Sequence, residues 1–365
     1  MYAQAHYEEL DNGGGNGLPP GLNGKTYPRS TPGIFADAEM AGQEEHAPAP
    51  NGLGRFFDML AGRFFFALYR SQFELVRAGT DHLRDLVYQL RYQVYVHENG
   101  FEDPLDFPGE REFDTHDDRA IHILLRHRRS GIFVGTARLV LPQAGATSNN
   151  FPVQGVSSHP IFHDADVVRH AGEFSRLAIS RERLKRCRIG PSRRGSISNS
   201  GHREGRLSRA ISRAILPQLS AGLIAGVVEL AGENGLPVLF AAMEPQLIRR
   251  LGRIGIRFPF VDAAIEYHGL RHPCVLPSLY DACRAMKLQD RRAWEIVTNR
   301  GRSQELALAA QTRTKSAWRA VARAYRLADR PVPVPLGWSR ALLQPRWRAA
   351  AAIPAITSRR QAGIL

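Results

Sequence analysis

Several features that define other classes of protein are missing from this sequence. Its 365 residues include three cysteines, Cys187, Cys274 and Cys283, and no C-x-x-C pair. This usage excludes a disulfide framework and a cysteine-type zinc site, and it is typical of a reducing compartment. No apolar run approaches the roughly 18 residues of a membrane span, and the N-terminus lacks the pattern of a signal peptide. We therefore expect a cytoplasmic protein.

Motifs for metals and nucleotides are also missing. The dipeptide His97-Glu98 does not extend to H-E-x-x-H, because Phe101 stands where the second histidine belongs. Neither G-x-G-x-x-G nor G-x-x-x-x-G-K-[ST] occurs, so no dinucleotide or P-loop site is indicated. We expect no bound cofactor and no metal.

What the sequence has in excess is positive charge. The net charge is +14, and a hydrophobic fraction of 43% is enough for a substantial core. Such a balance favours an acidic partner, which leaves nucleic acid, an anionic membrane surface or an acidic protein open.

Composition divides the chain into three parts. The first is poor in apolar residues and rich in Gly, Pro and Asn, which predicts disorder. The last is dense in Arg and holds all four tryptophans, so we expect a partly helical basic extension outside the main core. The predicted parts are a disordered segment (1–53), a folded domain (54–285) with a mobile basic loop (181–209), and the extension (286–365).

Within the central part, helical and strand patterns follow one another in a mixed order. A helix, two or three antiparallel strands, the strand "GEFSRLAIS" (172–180), a long helix, a strand and a further helix are predicted. This order differs from strict βαβ alternation and favours a mixed α/β (α+β) layout, a central sheet flanked by helices.

The strand "GEFSRLAIS" carries three polar residues in what is otherwise core. In a regular strand, Glu173 and Ser175 face one side, while Phe174 and Arg176 face the other. Glu173 and Ser175 can therefore point together into a cleft, where a carboxylate could take a proton from an attacking amine, directly or through one water.

Further charged residues lie in positions that suggest burial. Arg91 stands among apolar residues of a helix and needs a carboxylate partner, which Asp114 or Asp117 could provide. Arg138 lies on an apolar strand. The two aspartates could instead hold a cationic amine or serve as helix caps, and the whole set could be an ion-pair lattice that only braces the fold.

The segments "RYQVYVHENGF", "EFDTHD", "VGTARLV" and "EFSRLAI" resemble, in order and spacing, the acyl-homoserine-lactone synthases of the Gcn5-related N-acyltransferase (GNAT) superfamily. With "HILLRHR" and "YHGLRHPCV", they also resemble the acyltransferases associated with PEP-CTERM/exosortase systems, which are similar to long-chain N-acyl amino acid synthases. The resemblance covers residues 55 to 285.

This resemblance implies that residues 54–285 form a GNAT-like acyltransferase domain, with a splayed central mixed sheet flanked by helices. It also implies transfer of a long-chain acyl group from acyl carrier protein to a primary amine or amino acid. Glu173 is implied as general base, with Ser175 ordering a water. The surrounding charged residues would form an ion-pair network that binds the acceptor's charged groups. These residues are Arg91, Asp114, Asp117, Arg138 and Arg176.

Two departures from the family pattern bear on the substrates. Autoinducer synthases have Phe and Trp at the positions of Tyr95 and Phe101, so homoserine-lactone synthesis becomes the alternative reaction. The pyrophosphate loop of CoA-using members is missing after the central strand. This suits the small acidic carrier protein as donor, and the basic loop could bind it.

A non-catalytic protein that binds nucleic acid or an anionic membrane is the alternative of another class. Under the preferred interpretation no nucleic acid is expected. Peripheral contact with the inner membrane surface through the C-terminal extension remains open.

Overall fold

The structure is a computed structural model that describes residues 52–143, 145, 149–187, 189, 201–267, 269–314 and 321. Nearly all of the predicted N-terminal segment lies outside these residues. So do part of the predicted basic loop and, apart from Val321, the predicted extension beyond Thr314.

Strands with apolar, β-branched residues assemble into a single sheet. In chain order the strands are β1 (Phe73–Arg77), β2 (Ala120–His127), β3 (Phe133–Val140), β4 (Ala171–Ile179), β5 (Val238–Met243), β6 (Ile265–Glu266) and β7 (Leu270–Leu276). Their order in the sheet is β1-β2-β3-β4-β5-β7-β6. Among these strands only β4 and β5 pair in parallel. The predicted mixed α+β, GNAT-like fold is confirmed.

Helices cover the sheet. They are α1 (Gly52–Gln72), α2 (Asp81–Tyr92), α3 (Ala165–Val168), α4 (Arg181–Lys185), α5 (Gly201–Ile215), α6 (Leu219–Glu233), α7 (Pro245–Arg253), α8 (Leu279–Gln289), α9 (Arg291–Val297) and α10 (Arg302–Arg313). As predicted, Thr80 caps α2, since its hydroxyl accepts the N–H of Leu83. A π-helical turn, Gln93–Glu98, extends α2.

Helix α6 forms the centre of the main core. Its residues from Leu219 to Val228 are all buried. Small residues allow this close packing, because a Cβ on Gly222 would lie 1.7 Å from the Tyr69 hydroxyl and one on Gly226 would lie 2.4 Å from Ile123. The helix therefore joins α1 to the sheet with little space between them.

The structure of the same region differs from one expectation, that the sequence holds no stretch long and apolar enough to span a membrane. The helical stretch Ser208–Glu233 is long and apolar enough to cross a membrane by length and composition, although no such stretch was expected. In the structure, 72% of its most apolar window is buried inside the protein, as in the core helix of a folded domain. A 3₁₀ turn at Leu216–Gln218, which contains Pro217, interrupts it.

Two other expectations are also corrected. Residues 181–185 and 201–209 are helical rather than part of a loop. Residues 286–313 are not outside the core, because Trp294 and Val297 of α9 and Ala307 of α10 are buried within it. Apolar residues at helical spacing explain this packing, and the high arginine content of the segment masked it.

Candidate active site

The centre of the site is a gap between the two parallel strands. Strand β4 pairs with β3 along most of its length but with β5 only from Ala171 to Glu173. Beyond Glu173 the strands diverge around a cavity of about 240 Å³. Its walls include β4 from Glu173 to Leu177, Tyr95 of the π-helical turn, and Tyr267 and Arg271 from the β6–β7 region.

A bulge in β4 changes which side chains reach this cavity. Arg138 pairs with Ser175 and Thr136 with Ala178, so two residues of β4, Arg176 and Leu177, face a single position on β3. Arg176 has a φ of 52°, in the left-handed region. The expected alternation, with Arg176 facing away from Ser175, is therefore wrong. Both side chains contact the same ion-pair network.

Glu173 lies at the base of the gap and is 1% exposed. Its Oε2 accepts the backbone N–H of Val153 at 2.9 Å. Burial raises the pKa of Glu173 to about 7, although the Val153 N–H and the guanidinium groups of Arg138 and Arg176 partly offset this rise. A carboxyl group with such a pKa can exchange a proton near neutral pH.

Three arginines and three carboxylates form a network beside the cavity. Arg91 binds Glu112 and, through Nη1, both oxygens of Asp117 at 2.8 and 3.0 Å. Nη1 of Arg138 donates to Asp114 at 2.7 Å and to Asp117 at 2.6 Å. Arg176, the third arginine, completes the network.

Arg176 connects the network to the cavity. Its Nε donates to Glu112 and its Nη2 to Asp114, each at 3.1 Å. Nε of Arg138 also donates to the Ser175 hydroxyl at 3.0 Å. Three positive and three negative charges thus balance one another, which is the condition for burying them.

The network fixes its own protonation states. Burial alone would raise the pKa of Asp114, Asp117 and Glu112, but the neighbouring guanidinium groups outweigh burial and lower all three. His122, whose Nε2 lies 3.6 Å from Asp117, has its pKa lowered to about 4 by burial, against the attraction of Asp117. The acids are therefore ionised and His122 is neutral at pH 7, so Glu173 differs from them by titrating there.

The predicted site residues separate into two groups. Tyr95, Glu173, Ser175 and Arg176 line the cavity. Arg91, Asp114, Asp117 and Arg138 do not, and both Arg91 and Arg138 are 0% exposed. The predicted ion-pair network is therefore present, and in it Arg138 holds Ser175 while Asp114 holds Arg176. That the four residues bind the acceptor's charged groups stays a prediction. The positive and negative charges of these four side chains balance one another, which allows them to be buried away from the cavity.

Phe101, the remaining predicted residue, is 36% exposed and does not line the cavity. Its ring centroid lies 6.5 Å from that of Tyr95, and the guanidinium of Arg271 lies 5.4 Å above it. Phe101 therefore supports two side chains of the cavity wall from outside.

Sequence reasoning missed Glu112, Tyr267 and Val153. Glu112 lies two residues before Asp114, in "EREFDTHD", and the charge count of three arginines against two aspartates could have indicated it. Tyr267 lines the cavity and burial raises its pKa. The role of Val153 is played by its backbone N–H, for which no side-chain signal exists.

A small apolar cavity of about 20 Å³ adjoins the polar one. Phe174 lines both cavities. The other walls of the apolar cavity come from α6, β5, α7, β7 and α8, and they include Val227, Val228, Leu251 and Met286. A hydrocarbon chain attached to a group in the polar cavity has an apolar environment next to it.

Comparison with known proteins assigns the domain. Residues 90–187 match the model of the acetyltransferase (GNAT) domain. This segment contains the network, the bulge and Glu173. The match and the seven-stranded sheet together define a GNAT-type acyltransferase domain in this chain.

Solved structures with a similar fold include several acyl-transferring synthases. TofI, in a ternary complex with an inhibitor and MTA, is 21% identical with a TM-score of 0.41 over 60% of this chain and 96% of its own. The AHL synthase LasI is 15% identical, with a TM-score of 0.39 and coverages of 60% and 93%. FeeM, an N-acyl amino acid synthase from uncultured soil microbes, is 12% identical, with a TM-score of 0.39 and coverages of 60% and 97%. The search of curated proteins found no match.

Proposed function

We propose that this protein is an N-acyltransferase that moves a long-chain fatty acyl group from acyl carrier protein to a primary amine, most simply that of an amino acid. The observation that carries the proposal is the position of Glu173, a buried carboxyl group with a pKa of about 7 at the start of the gap between β4 and β5. A base is required because an amine attacks only as the neutral species.

The proposed reaction needs no resident cofactor. Glu173 takes a proton from the amine, directly or through one water, and the amine nitrogen bonds to the thioester carbonyl carbon. The tetrahedral intermediate then collapses, the C–S bond breaks, and the carrier thiolate leaves and receives the proton from Glu173, which restores the base. Because the Ser175 hydroxyl oxygen accepts from Arg138, its O–H can donate to the bridging water. Backbone N–H groups where β4 leaves β5 are the proposed donors to the carbonyl oxygen.

Two features support the proposed donor. The apolar cavity behind Phe174 has a volume of about 20 Å³, so a long acyl chain would enter there only as the surrounding side chains move apart; its wholly apolar walls suit a hydrocarbon. The carrier is acidic, and the segment after β4 is basic in sum: exposed Arg181 and Arg186 pair with Glu98 and Glu182, and exposed Lys185 adds a further positive charge. This segment can attract the carrier. The link to PEP-CTERM/exosortase systems and the cytoplasmic location remain predictions from the sequence.

The test is a reaction of the purified chain with long-chain acyl carrier protein and a pool of amino acids, followed by mass spectrometry. We expect a new mass equal to the acyl group plus one amino acid, and none with Glu173→Ala. Parallel reactions with acyl-CoA and with S-adenosylmethionine test the donor and the homoserine-lactone alternative. A folded protein that leaves every thioester intact would contradict the proposal.

A further inference from the structure

The polar cavity has a second charged wall, which the proposed proton transfer does not use. Three of its residues are Arg271, the second residue of β7, Glu244, which precedes α7, and Arg250, in the last turn of α7. None of them belongs to the ion-pair network around Arg91 and Arg138. Charged side chains that line a cavity without bracing the fold are candidates for substrate recognition.

Arg271 is well enclosed, but its hydrogen-bonding capacity is only partly used. Its side chain is 11% exposed, and its guanidinium lies 5.4 Å from the centroid of the Phe101 ring. Nη1 donates to the Leu270 carbonyl at 3.3 Å and lies 3.0 Å from Oε1 of Glu244. Within the described part of the chain, Nε and Nη2 of Arg271 donate no hydrogen bond. One edge of the guanidinium, with two donors, is thus left for a ligand.

The other two cations of the cavity wall are less suited to hold a ligand. Arg176 lines the cavity, but its Nε and Nη2 already donate to Glu112 and Asp114. Arg250 is exposed, so its side chain would lose more conformational freedom on binding. Arg271 combines two unused donors with a side chain that is already confined, which lowers the entropy cost of binding.

We propose that Arg271 binds the α-carboxylate of an amino-acid acceptor and so selects α-amino acids over other primary amines, a step that rests on the proposed function. The planar Nε–Nη2 edge matches the two oxygens of a carboxylate in bidentate geometry. The closest approach of Glu244 is to Nη1, and this carboxylate is 43% exposed, so water screens its repulsion of a second one. The amine of the bound amino acid is left to reach Glu173, which lines the same cavity.

A binding measurement tests this subsite without requiring turnover. Saturation-transfer NMR is recorded on the full chain with the protein amino acids and with the matching amino-acid amides, whose terminus is uncharged, in the presence and absence of acyl carrier protein. We expect at least one amino acid to bind roughly tenfold or more tightly than its amide. Arg271→Met should abolish this preference. Arg249→Met should keep it, since Arg249 is an exposed cation of α7 that does not line the cavity.

Two results of this measurement would overturn the role of Arg271. One is the failure of every amino acid to bind under both conditions. The other is equal affinity for acid and amide in the wild type. Thermal unfolding of each variant verifies that it is folded.

Kinetics separate a failure of this subsite from a failure of the proposed function. The ratio of kcat/KM for the amino acid to that for its amide is measured with one acyl carrier protein, so effects on the carrier cancel. The ratio should be roughly ten or more in the wild type, close to one in Arg271→Met, and intermediate in Arg271→Lys, which keeps the charge but not the paired donors. A wild-type ratio in Arg271→Met would contradict the role of Arg271 alone, whereas absence of product from every amine would contradict the proposed function.

Discussion

Glu173 occupies the last position at which β4 and β5 are paired, and its carboxyl group is almost fully enclosed. Burial gives it a pKa of about 7, in contrast to the neighbouring acids, which are held ionised by guanidinium groups. The same enclosure that suits this group to proton transfer makes its charged form costly. Under the proposed function, chemistry and stability are therefore coupled at one side chain.

This pKa predicts the pH dependence of the reaction. Glu173 acts as a base only when ionised, so the rate should rise with pH through about 7 and approach a plateau above it. The measurement is kcat/KM against pH for the wild type. A rate that stays constant from pH 6 to about 8 would remove Glu173 from the role of base.

The raised pKa also predicts a stability effect with a definite sign. The folded state holds the proton more tightly than the unfolded state, whose pKa is near 4.5. The stabilisation is thus fully present below about 4.5 and is lost as pH rises through about 7. Since one pKa unit corresponds to about 1.4 kcal/mol, ionised Glu173 costs about 3 kcal/mol at pH 8.

Glu173→Gln should therefore be inactive yet more stable than the wild type at pH 8, by about 2–3 kcal/mol. The two proteins should have similar free energies of unfolding at pH 4 to about 5. Urea denaturation at both values of pH measures this difference. Equal stability at pH 8 would mean that the carboxyl group is solvated when ionised.

Strand β4 and the elements packed around it position Glu173 and the ion-pair network around one cavity. The bulge at Arg176 brings two consecutive side chains to one network, and the divergence from β5 opens the cavity. Of these features, the sequence predicted the strand, Glu173 and most of the network. It could not predict the bulge, because regular alternation is the default for a strand and one extra residue on β4 leaves no compositional trace.

Removing one arginine from the network should leave buried carboxylates without compensation. Arg138→Met is expected to lower the free energy of unfolding by about 3–5 kcal/mol. The matched control is Arg169→Met, whose partner Asp166 is exposed, and it should change stability little. Similar urea midpoints for the two variants would show that the network is not a balanced buried unit.

The apolar cavity predicts acyl-chain selectivity. Ala282 of α8 lines this cavity of about 20 Å³, so Ala282→Leu should fill it completely, block its opening and shift kcat/KM toward shorter acyl chains by roughly tenfold. Ala225→Leu is the control, since Ala225 lines a separate small cavity beside Tyr69. An unchanged preference in Ala282→Leu would place the acyl chain elsewhere.

On the scale of the whole molecule, the described domain extends further than composition indicated. Patterning located the sheet and α2 well, because these elements show clear apolar periodicity. It placed the end of the core near residue 285, whereas Trp294, Val297 and Ala307 are buried in the same core. That boundary was set by the high arginine content of the residues after 285. Which face of α9 and α10 packs on α6 depends on tertiary contacts that composition does not encode.

The position of these helices predicts the effect of truncation. A chain that ends after residue 285 exposes the core surface that α9 and α10 cover, so it should lose cooperative thermal unfolding. A chain that ends after Val321, which is itself buried, should retain it. Cooperative unfolding of the shorter chain would make the segment after 285 a separate extension, as the composition suggested.

The most direct measurement of the central claim is product formation by the wild type and Glu173→Gln with the same acyl carrier protein and amino-acid pool at pH 8. The proposed function predicts an acyl amino acid from the wild type and none from the variant, although we expect the variant to be the more stable protein. Equal product from both would contradict Glu173 as the base. Absence of product from a folded wild type, with the thioester intact, would contradict the acyltransfer assignment itself.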